Sequence, residues 1–537
     1  MDTKALRQKI LDLAIRGKLV PQDPNDEPAS VLLERIREQK KQMVKEGKLK
    51  AKDIKNDTII FVGEDNLHYE KFQDGTIKCI EDEIPFEVPE GWSWCRLNNI
   101  YNFIDYRGAT PTKISKGIPL ITAKNVKSGY IDYTVDDYIS EEEFQERQQR
   151  GVSKKGDILF TTEAPLGNAA LADIEKFSAG QRLITFQHYG PRNELINYVI
   201  LMFILSDFFQ QELYVNKTGS TVAGIKAAIL KTLWIPIPPY KEQIRIEEAL
   251  QSAIKLIDSI YANKEALITN ISNAKSKILD LAIRGKLVPQ DPNDEPASAL
   301  LERIRAEKEE LIKQGKIKRD KKESIIFRGD DNSYFEKIGN DTFDITDSIP
   351  FEIPTTWMWC RLRCVAANED NSFVDGPFGS DLKTIHYTEK EEVRIVQLNN
   401  IGEEGWKDTG KKYTTFLHAK NIERCISFPN DIVIAKMMPA GRTIILPVVN
   451  SMYVISSDCI RLRSDYRINK EYLMYMLNSP SINNYVLDNV QGIGRTRTSL
   501  NKMKDILIPV PPESEQQKIC TKVNMCFAYL STIHNEC

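Results

Sequence analysis

The feature that most constrains the fold of this chain is a long internal repeat. Residues 9–30 (KILDLAIRGKLVPQDPNDEPAS) recur unchanged at 277–298, an offset of 268. The match continues through Leu32–Arg37 into Leu300–Arg305. Self-similarity over such a distance indicates that one structural unit is written twice. Because 537 residues exceed one ordinary core, we expect at least two domains.

Two further blocks return in the same order and enclose segments that differ. IPFEVPEGWSWCRL at 84–97 returns at 349–362, and IPIPPYKEQIRI at 235–246 returns at 508–519. Between these blocks the copies diverge almost completely, at about 98–234 and 363–507. Similar blocks on both sides of segments with different sequences predict a shared scaffold that carries two domains with different binding specificities.

A heptad pattern follows Pro238–Pro239 and predicts a long helix from about Lys241 to Arg284, ending near Gly285. Lys264 is the only polar residue at a seam position. The apolar residues of this seam are spaced alternately four and three positions apart, which favours a coiled coil. They are Ile246, Leu250, Ala253, Ile257, Ile260, Leu267, Ile271, Ala274, Ile278 and Leu281. Residues 28–50 and 296–318 predict shorter, heavily charged helices.

The two chain ends carry a second copy of the seam, at Ile519, Val523, Cys526, Leu530 and Ile533 and then at Thr3, Leu6, Ile10 and Leu13. The pattern predicts two copies of one unit joined by two long helices, with both chain termini falling within one of these helices. The predicted fold is α+β, with two domains in a pseudo-twofold repeat separated by an antiparallel two-helix coiled coil. Its predicted segments are repeat helices 1–50, a first domain 51–240, a central helical segment 241–318, a second domain 319–512 and a C-terminal helix 513–537.

Composition excludes several classes of protein. The net charge of -3 gives no support to a generally basic nucleic-acid binder, so any basic surface is local. The N-terminal segment lacks a signal-peptide core, and the longest apolar run, Tyr198–Leu205, is about half the length that spans a bilayer. Nine cysteines without framework spacing indicate a reduced, cytoplasmic protein, and Cys360 with Cys364 lacks the second pair that a zinc site needs.

The order of these motifs resembles the specificity subunit of type I restriction–modification enzymes over nearly the whole chain. The variable domains resemble its target-recognition domains, which begin with P-x-GW…L. The matching residues are Pro89, Gly91, Trp92 and Leu97, and more loosely Pro354, Trp357 and Leu362. Gly156–Leu159 and Asn430–Val433 are similar to the family's G-D-I-L strand, and Pro-Pro-x-x-x-Glu-Gln and Pro-Pro-x-x-Glu-Gln to its P-P-x-x-E-Q exit. Asp375–Ser380 resembles the G-P-F-G-S turn, from which the first domain departs at Tyr106–Gly108.

The resemblance implies a non-catalytic subunit that reads a bipartite site in double-stranded DNA, one domain per half-site. It implies assembly with two copies of an adenine-modification (methyltransferase) subunit and with restriction subunits that translocate and cut DNA. The near-identity of 28–50 and 296–318 favours two equal docking surfaces for such a partner, against two merely solvated helices. Two alternatives stay open: the corresponding subunit of a methylase–nuclease that cuts both sides of its site, and a coiled-coil adaptor with two protein-binding domains.

Two motifs that hint at chemistry are weak. Pro238–Pro239–Tyr240 looks like an amino-methyltransferase motif, but Ile237 cannot accept the hydrogen bond that orients an amino group. Gly405–Lys411 fits G-x-x-x-x-G-K, but Lys412 replaces the magnesium-binding Ser or Thr. We therefore expect no catalytic residue, no bound cofactor and no metal.

The best candidates for DNA contact lie in polar, glycine-containing loops before the last strand of each domain. Arginine binds guanine bidentately, and hydroxyls suit phosphate. The first loop contributes Lys217, Thr218, Ser220 and Thr221, and the second contributes Arg495, Thr496, Arg497 and Thr498. The second-rank candidates are Lys124, Asn125, Gln397, Asn399, Asn400, Lys436 and Arg442. We expect Trp92, Trp94, Trp357 and Trp359 to be core residues, since they belong to the shared frame.

Overall fold

The computed structural model describes residues 2–106, 110–189, 195–219, 223–437, 440–488 and 497–536. Internal contacts divide the chain into two compact units, residues 1–263 and 264–537. The boundary falls inside one continuous helix, Tyr240–Ile283, whose bounds agree within one residue with the predicted Lys241–Arg284.

The first unit mixes helices and strands in chain order. Its helices are α1 Thr3–Ile15, α2 Ala29–Lys45, α3 Leu97–Ile100, α4 Glu141–Arg147, α5 Asn197–Ile204, α6 Asp207–Val215, α7 Ala227–Leu230 and the first half of α8 Tyr240–Ile283. Its strands are β1 Ile59–Val62, β2 His68–Lys71, β3 Ile77–Cys79, β4 Ser93–Arg96, β5 Tyr101–Asp105, β6 Ile118–Ile121, β7 Tyr138–Ile139, β8 Ile158–Thr161, β9 Ala169–Leu171, β10 Ser178–Ala179, β11 Leu183–His188 and β12 Trp234–Ile237.

The second unit follows a similar order. After the second half of α8 its helices are α9 Ala297–Lys313, α10 Phe416–Asn421, α11 Lys470–Leu477, α12 Pro480–Asp488, α13 Leu500–Lys504 and α14 Glu513–Glu536. Its strands are β13 Ser324–Arg328, β14 Tyr334–Ile338, β15 Asp341–Asp344, β16 Met358–Arg361, β17 Phe373–Asp375, β18 Tyr387–Thr388, β19 Val393–Val396, β20 Ile401–Gly402, β21 Gly405–Trp406, β22 Tyr413–Thr414, β23 Ile426–Ser427, β24 Ile432–Ala435, β25 Thr443–Ile445, β26 Tyr453–Ile455, β27 Cys459–Leu462 and β28 Leu507–Val510.

Each unit is built around an antiparallel four-stranded sheet. The strand order is β5-β11-β8-β9 in the first unit and β17-β27-β24-β25 in the second. The strands β8 and β24, which carry the G-D-I-L-like segments, are buried along their whole length. A continuous apolar strand of this kind is expected where both faces are covered. The two units therefore share one core topology although their sequences differ.

The repeated frame closes each unit through a buried glutamate at the start of a helix. The indole N–H of Trp92 donates to Glu242 (2.9 Å), and Gln22 donates to the other oxygen (3.1 Å). In the second unit Trp357 and Gln290 donate to Glu515 in the same way, at 2.9 and 2.6 Å. Burial raises the pKa of both carboxyls, while these hydrogen bonds oppose the shift.

The neighbouring glutamine of each exit motif joins a further segment to the same helix start. The amide of Gln243 accepts from the N–H of Ile196 (2.9 Å) and donates to the carbonyl of Pro238 (3.0 Å). Gln516 repeats both bonds with Asn469 and Pro511, at 2.7 and 3.1 Å. The P-P…E-Q motif is therefore a structural joint in both units.

The heptad seam is buried at Ile246, Leu250, Ile257 and Ile271. Towards the end of α8 the buried residues are instead Leu279, Ala282 and Ile283, with Ile278 and Leu281 only partly covered. The shift arises because the last turns of α8 pack into the core of the second unit rather than along a coiled-coil seam.

The charged helices end earlier than predicted. They span Ala29–Lys45 and Ala297–Lys313, not 28–50 and 296–318. Gly47 and Gly315 both have a φ of +71°, and the following Lys48 and Lys316 donate back to Met43 and Leu311, which is the usual glycine-terminated helix end.

Within the described residues, no single helix meets the length and hydropathy expected of a membrane span. One bent pair, Asn197–Ile204 with Asp207–Val215, passes the same test by length and composition. Six residues of the first helix and two of the second are buried inside the first unit.

Two glycines at helix ends offer a matched test of the frame. Gly285 has a φ of +64°, and a Cβ there lies 2.4 Å from Pro354 Cγ; Gly315 has a similar φ with nothing within 4 Å. We expect Gly315→Ala to cost about 1–2 kcal/mol from the left-handed backbone alone. Gly285→Ala adds about 1–3 kcal/mol of overpacking.

The measurement is the midpoint of urea unfolding, followed by tryptophan fluorescence in the two purified full-length variants. Equal midpoints for the two variants would show that the contact with Pro354 does not constrain the frame.

Candidate nucleic-acid interface

The candidate loop of the first unit returns to the end of the buried strand β8. The N–H of Ile225 donates to the carbonyl of Thr162 at 3.0 Å, and Gly224 pairs with Glu163 in an isolated antiparallel bridge. Thr218 and Gly224 exchange backbone hydrogen bonds of 2.7 and 3.0 Å across the loop. We call residues 162–163 with 224–225 the first loop closure.

The second unit repeats this arrangement at the end of β24. The N–H of Thr498 donates to the carbonyl of Lys436 at 2.9 Å, and Arg497 pairs with Met437 in an antiparallel bridge. We call residues 436–437 with 497–498 the second loop closure. The two closures have equivalent backbone bonds and different side chains.

A third segment meets each closure at an equivalent backbone position. The N–H of Thr162 donates to the carbonyl of Arg182 (2.9 Å), and that of Lys436 to the carbonyl of Asp458 (2.8 Å). Arg182 forms an ion pair with Glu163 (2.9 Å), and both side chains are about half exposed. In the second unit the equivalent of Arg182 is Asp458, which lies 3.7 Å from Arg497 on the returning loop, and the side chain of Arg497 is 52% exposed.

Arg182 was not among the residues singled out from the sequence. It is a lone arginine in AGQRLITF, and the pairing of β11 with β8 brings it to the first closure. No local signal marks it; only the register of two strands about twenty residues apart would have found it.

Three of the predicted contact residues lie around these closures and are at least partly exposed. Lys217 is exposed beside the ring of Tyr214, and Thr218 is half-buried with its hydroxyl donating to Gly224 (3.3 Å). Arg442 is half-buried, and its carbonyl accepts from the N–H of Ala435, the residue before Lys436.

Three predicted contact residues serve the fold instead. Asn125 is 1% exposed, accepts from the N–H of Thr122 and donates to two carbonyls. Lys436 is 8% exposed and lies 3.0 Å from Asp375, and Thr498 is 3% exposed. Because these side chains are buried and two of them already have partners, we withdraw them as DNA-contact candidates.

Asn400 is the structural equivalent of Asn125. It is fully buried, accepts from Gln397 N–H and donates to two carbonyls at 3.0 and 2.8 Å. It is withdrawn for the same reason. The neighbouring Lys124 and Asn399 are exposed and Gln397 is half-buried, so these remain candidates. Ser220, Thr221, Arg495 and Thr496 lie outside the described residues.

The part of the chain that the structure describes offers no cluster of metal-binding side chains. No group of three or more His, Cys, Asp or Glu side chains there is placed to hold a metal. Exposed cations and polar groups around a rigid backbone closure are instead suited to phosphates and base edges.

Comparison with known proteins identifies the family. The model of the type I restriction modification DNA specificity domain matches residues 89–270 and 387–536, more than half of the chain. The chain belongs to this family. It is 30% identical to the EcoAI specificity subunit of Escherichia coli, over 97% of this chain and 88% of that protein. It is 31% identical to the EcoEI specificity subunit of Escherichia coli, over 68% of this chain and 62% of that protein.

A chain in a solved structure of a type I R-M system is 16% identical, with a TM-score of 0.49, and the match covers 84% of this chain and 94% of that chain. Membership of the type I specificity family makes the protein a DNA specificity subunit with two recognition domains. The first core sheet and both loop closures lie within the matched residues, whereas β17 of the second core sheet lies before them.

Arg497 is the exposed cation of the second closure and carries the sharpest prediction for this site. We expect Arg497→Ala to weaken DNA binding by about 1–3 kcal/mol if a base contact is lost, and to relax only one half of the recognised sequence. Methylation profiling of DNA from cells carrying the variant measures the second effect.

Asp458→Ala is the matched control. It removes the acidic partner of Arg497 and leaves the cation, so binding should be retained or strengthened. An Arg497→Ala variant that methylates the same sites at the original rate would contradict a role for this residue in recognition.

Proposed function

We propose that the chain reads a bipartite site in double-stranded DNA, with one loop closure directed to each half-site. The observation that carries the proposal is the pair of equivalent closures with different side chains. Gly224 occupies the position of Arg497, and Arg182 that of Asp458. The same backbone geometry with different polar groups is what reading two different base sequences requires.

The chain's role in this proposal is recognition, and partner subunits supply the chemistry. The partners are modification subunits that methylate adenine and restriction subunits that translocate and cut DNA, acting in the cytoplasm. Two modification subunits per chain are supported by the repeated frame, since equal surfaces bind equal partners. A specificity subunit for a methylase–nuclease remains the alternative, distinguished by whether the assembled complex cuts both sides of its site.

The test of the proposal is an exchange of variable segments. Replacing residues 98–234 with the corresponding segment of a relative should change one half of the methylated sequence and leave the other half intact. The repeated blocks on both sides lie outside the exchanged segment, so the Trp92–Glu242 joint is preserved.

The reciprocal exchange of 363–507 is the control, and should change only the other half. Genomic methylation profiling reads both outcomes. A change in both halves, or in neither, after a single exchange would contradict the assignment of one domain to each half-site.

Stoichiometry gives a separate expectation. The complex reconstituted from this chain and its modification subunit should contain two such subunits for each chain, measured by native mass spectrometry. A stable one-to-one particle at saturating modification subunit would contradict it.

A further inference from the structure

A solvent-exposed turn lies directly beside the second loop closure. The N–H of Gly376 donates to the carbonyl of Cys459 at 3.0 Å, one residue beyond the segment that meets the closure. Within the closure, the ammonium of Lys436 lies 3.0 Å from the carboxylate of Asp375. We call residues 376–380 the exposed turn. It is continuous with the surface that the proposed function directs to DNA.

The exposed turn presents one aromatic side chain to solvent. Phe378 is 73% exposed, the most exposed phenylalanine in the part of the chain that the structure describes. The guanidinium of Arg424 lies over its ring, 5.5 Å from the centroid. A Cβ at Gly376 would overlap the carbonyl oxygen of Ser456, so the backbone of the turn is pressed against the core. An open aromatic ring and a cation are therefore held together beside the closure.

Two stacked histidines fix the segment that follows the turn. The Nε2–H of His418 donates to the carbonyl of Asp381 at 2.8 Å, and the Nδ1 of His386 accepts from the N–H of Lys383 at 3.1 Å. The two imidazole rings stack with centroids 4.0 Å apart. His418 belongs to α10, and Arg424 lies in the short 3₁₀ turn after α10. Because these contacts join the two segments, the surface loses little conformational entropy when a ligand binds.

The cations on these segments have no acidic partners. Lys383, Lys420 and Arg424 are exposed, and none of them forms an ion pair with another described residue. The exposed arginines of the two closures differ in this respect, since Arg182 and Arg497 each lie near a carboxylate. Unpaired cations beside an aromatic ring are suited to a phosphate backbone with bases next to it.

We propose that Phe378 contacts a thymine methyl group in the second half-site, and that Arg424 binds a phosphate beside it. The inference rests on the proposed function, which directs the second closure to DNA. A phenyl ring has no hydrogen-bonding group, so the feature of a base pair that it distinguishes in an undistorted groove is the C5-methyl of thymine. Insertion between stacked bases would instead carry the cost of unstacking them.

The corresponding position in the first unit carries a buried tyrosine. The register of β5 against β11 and of β17 against β27 aligns Tyr106 with Gly376. Tyr106 is buried, and its hydroxyl donates to the carbonyl of Gly151. The aromatic ring at this position therefore serves the core of the first unit. We expect the thymine contact at the second half-site only.

The test uses the full-length chain assembled with its modification subunit. Methylation profiling first gives the recognised site, and the segment exchange shows which half the second unit reads. Each thymine of that half, on either strand, is then replaced in turn by deoxyuridine, which lacks only the methyl group. We expect one replacement to weaken binding about four-fold, because one buried methyl contact is lost.

Two variants assign this effect to the surface. In Phe378→Ala the same deoxyuridine replacement should no longer change the affinity, because the ring that contacts the methyl group is absent. Arg424→Gln should weaken binding to all sequences alike and lower the slope of log affinity against log salt by about one, as expected for a lost phosphate contact.

Tyr466→Ala is the matched control. Tyr466 is 83% exposed, and the guanidinium of Arg467 lies 4.6 Å from the centroid of its ring. Arg467 pairs with Glu307 of α9, so this second aromatic–arginine pair lies beside α9 rather than beside the closure. The variant should keep both the affinity for DNA and the sensitivity to deoxyuridine.

The outcomes separate the inference from the proposed function. The inference is wrong, and the function stands, if the second half-site contains no thymine, if no replacement weakens binding, or if Phe378→Ala keeps the same sensitivity. It is also wrong if Phe378→Ala weakens DNA binding only because the complex loses modification subunits, measured by native mass spectrometry, since the turn is then a protein contact. Unchanged genomic methylation after deletion of the chain overturns the proposed function itself.

Discussion

The buried carboxylate at the start of a helix is the interaction on which the rest of each unit depends. Glu242 receives hydrogen bonds from Trp92 and Gln22, which lie 150 and 220 residues away along the chain. It thereby joins the segment that enters the recognition domain, the loop that follows the first helix, and the helix that leaves the domain. The first turn of a helix favours a negative charge, which partly offsets the cost of burying it.

This joint explains why the frame is nearly invariant while its contents are free to change. Glu515 makes the same two bonds with Trp357 and Gln290, so the second copy must preserve the same residue types at the same spacing. Gly17 and Gly285 add a steric condition, because a Cβ at either position overlaps the ring of Pro89 or Pro354. Between the joints, the core sheet requires only that its buried positions be apolar. The sequence between the frames can therefore diverge without loss of the fold.

Local signals made the frame predictable, and non-local contacts limited prediction of the site. The bounds of the long helix followed from proline, heptad and glycine signals within a few residues of each end. The charged helices end before their predicted bounds because Gly47 and Gly315, both visible in the sequence, terminate them in the left-handed conformation. Asn125 and Asn400 look like ligands in polar loops, yet each is used to satisfy backbone groups around a tight turn. Arg182 reaches the first closure only through the register of β11 against β8, which no local pattern encodes.

The loop closures separate the part of recognition that is fixed from the part that is variable. Backbone groups make the bonds that return each loop to the core strand, so any side chain is compatible with the geometry. Glycine in one unit and arginine in the other occupy the same position of the closure. Each closure has an ion pair, but the first joins Arg182 to Glu163 on the core-strand side, whereas the second joins Asp458 to Arg497 on the returning loop. A backbone-held loop therefore changes its polar surface by substitution, without a compensating change in the core.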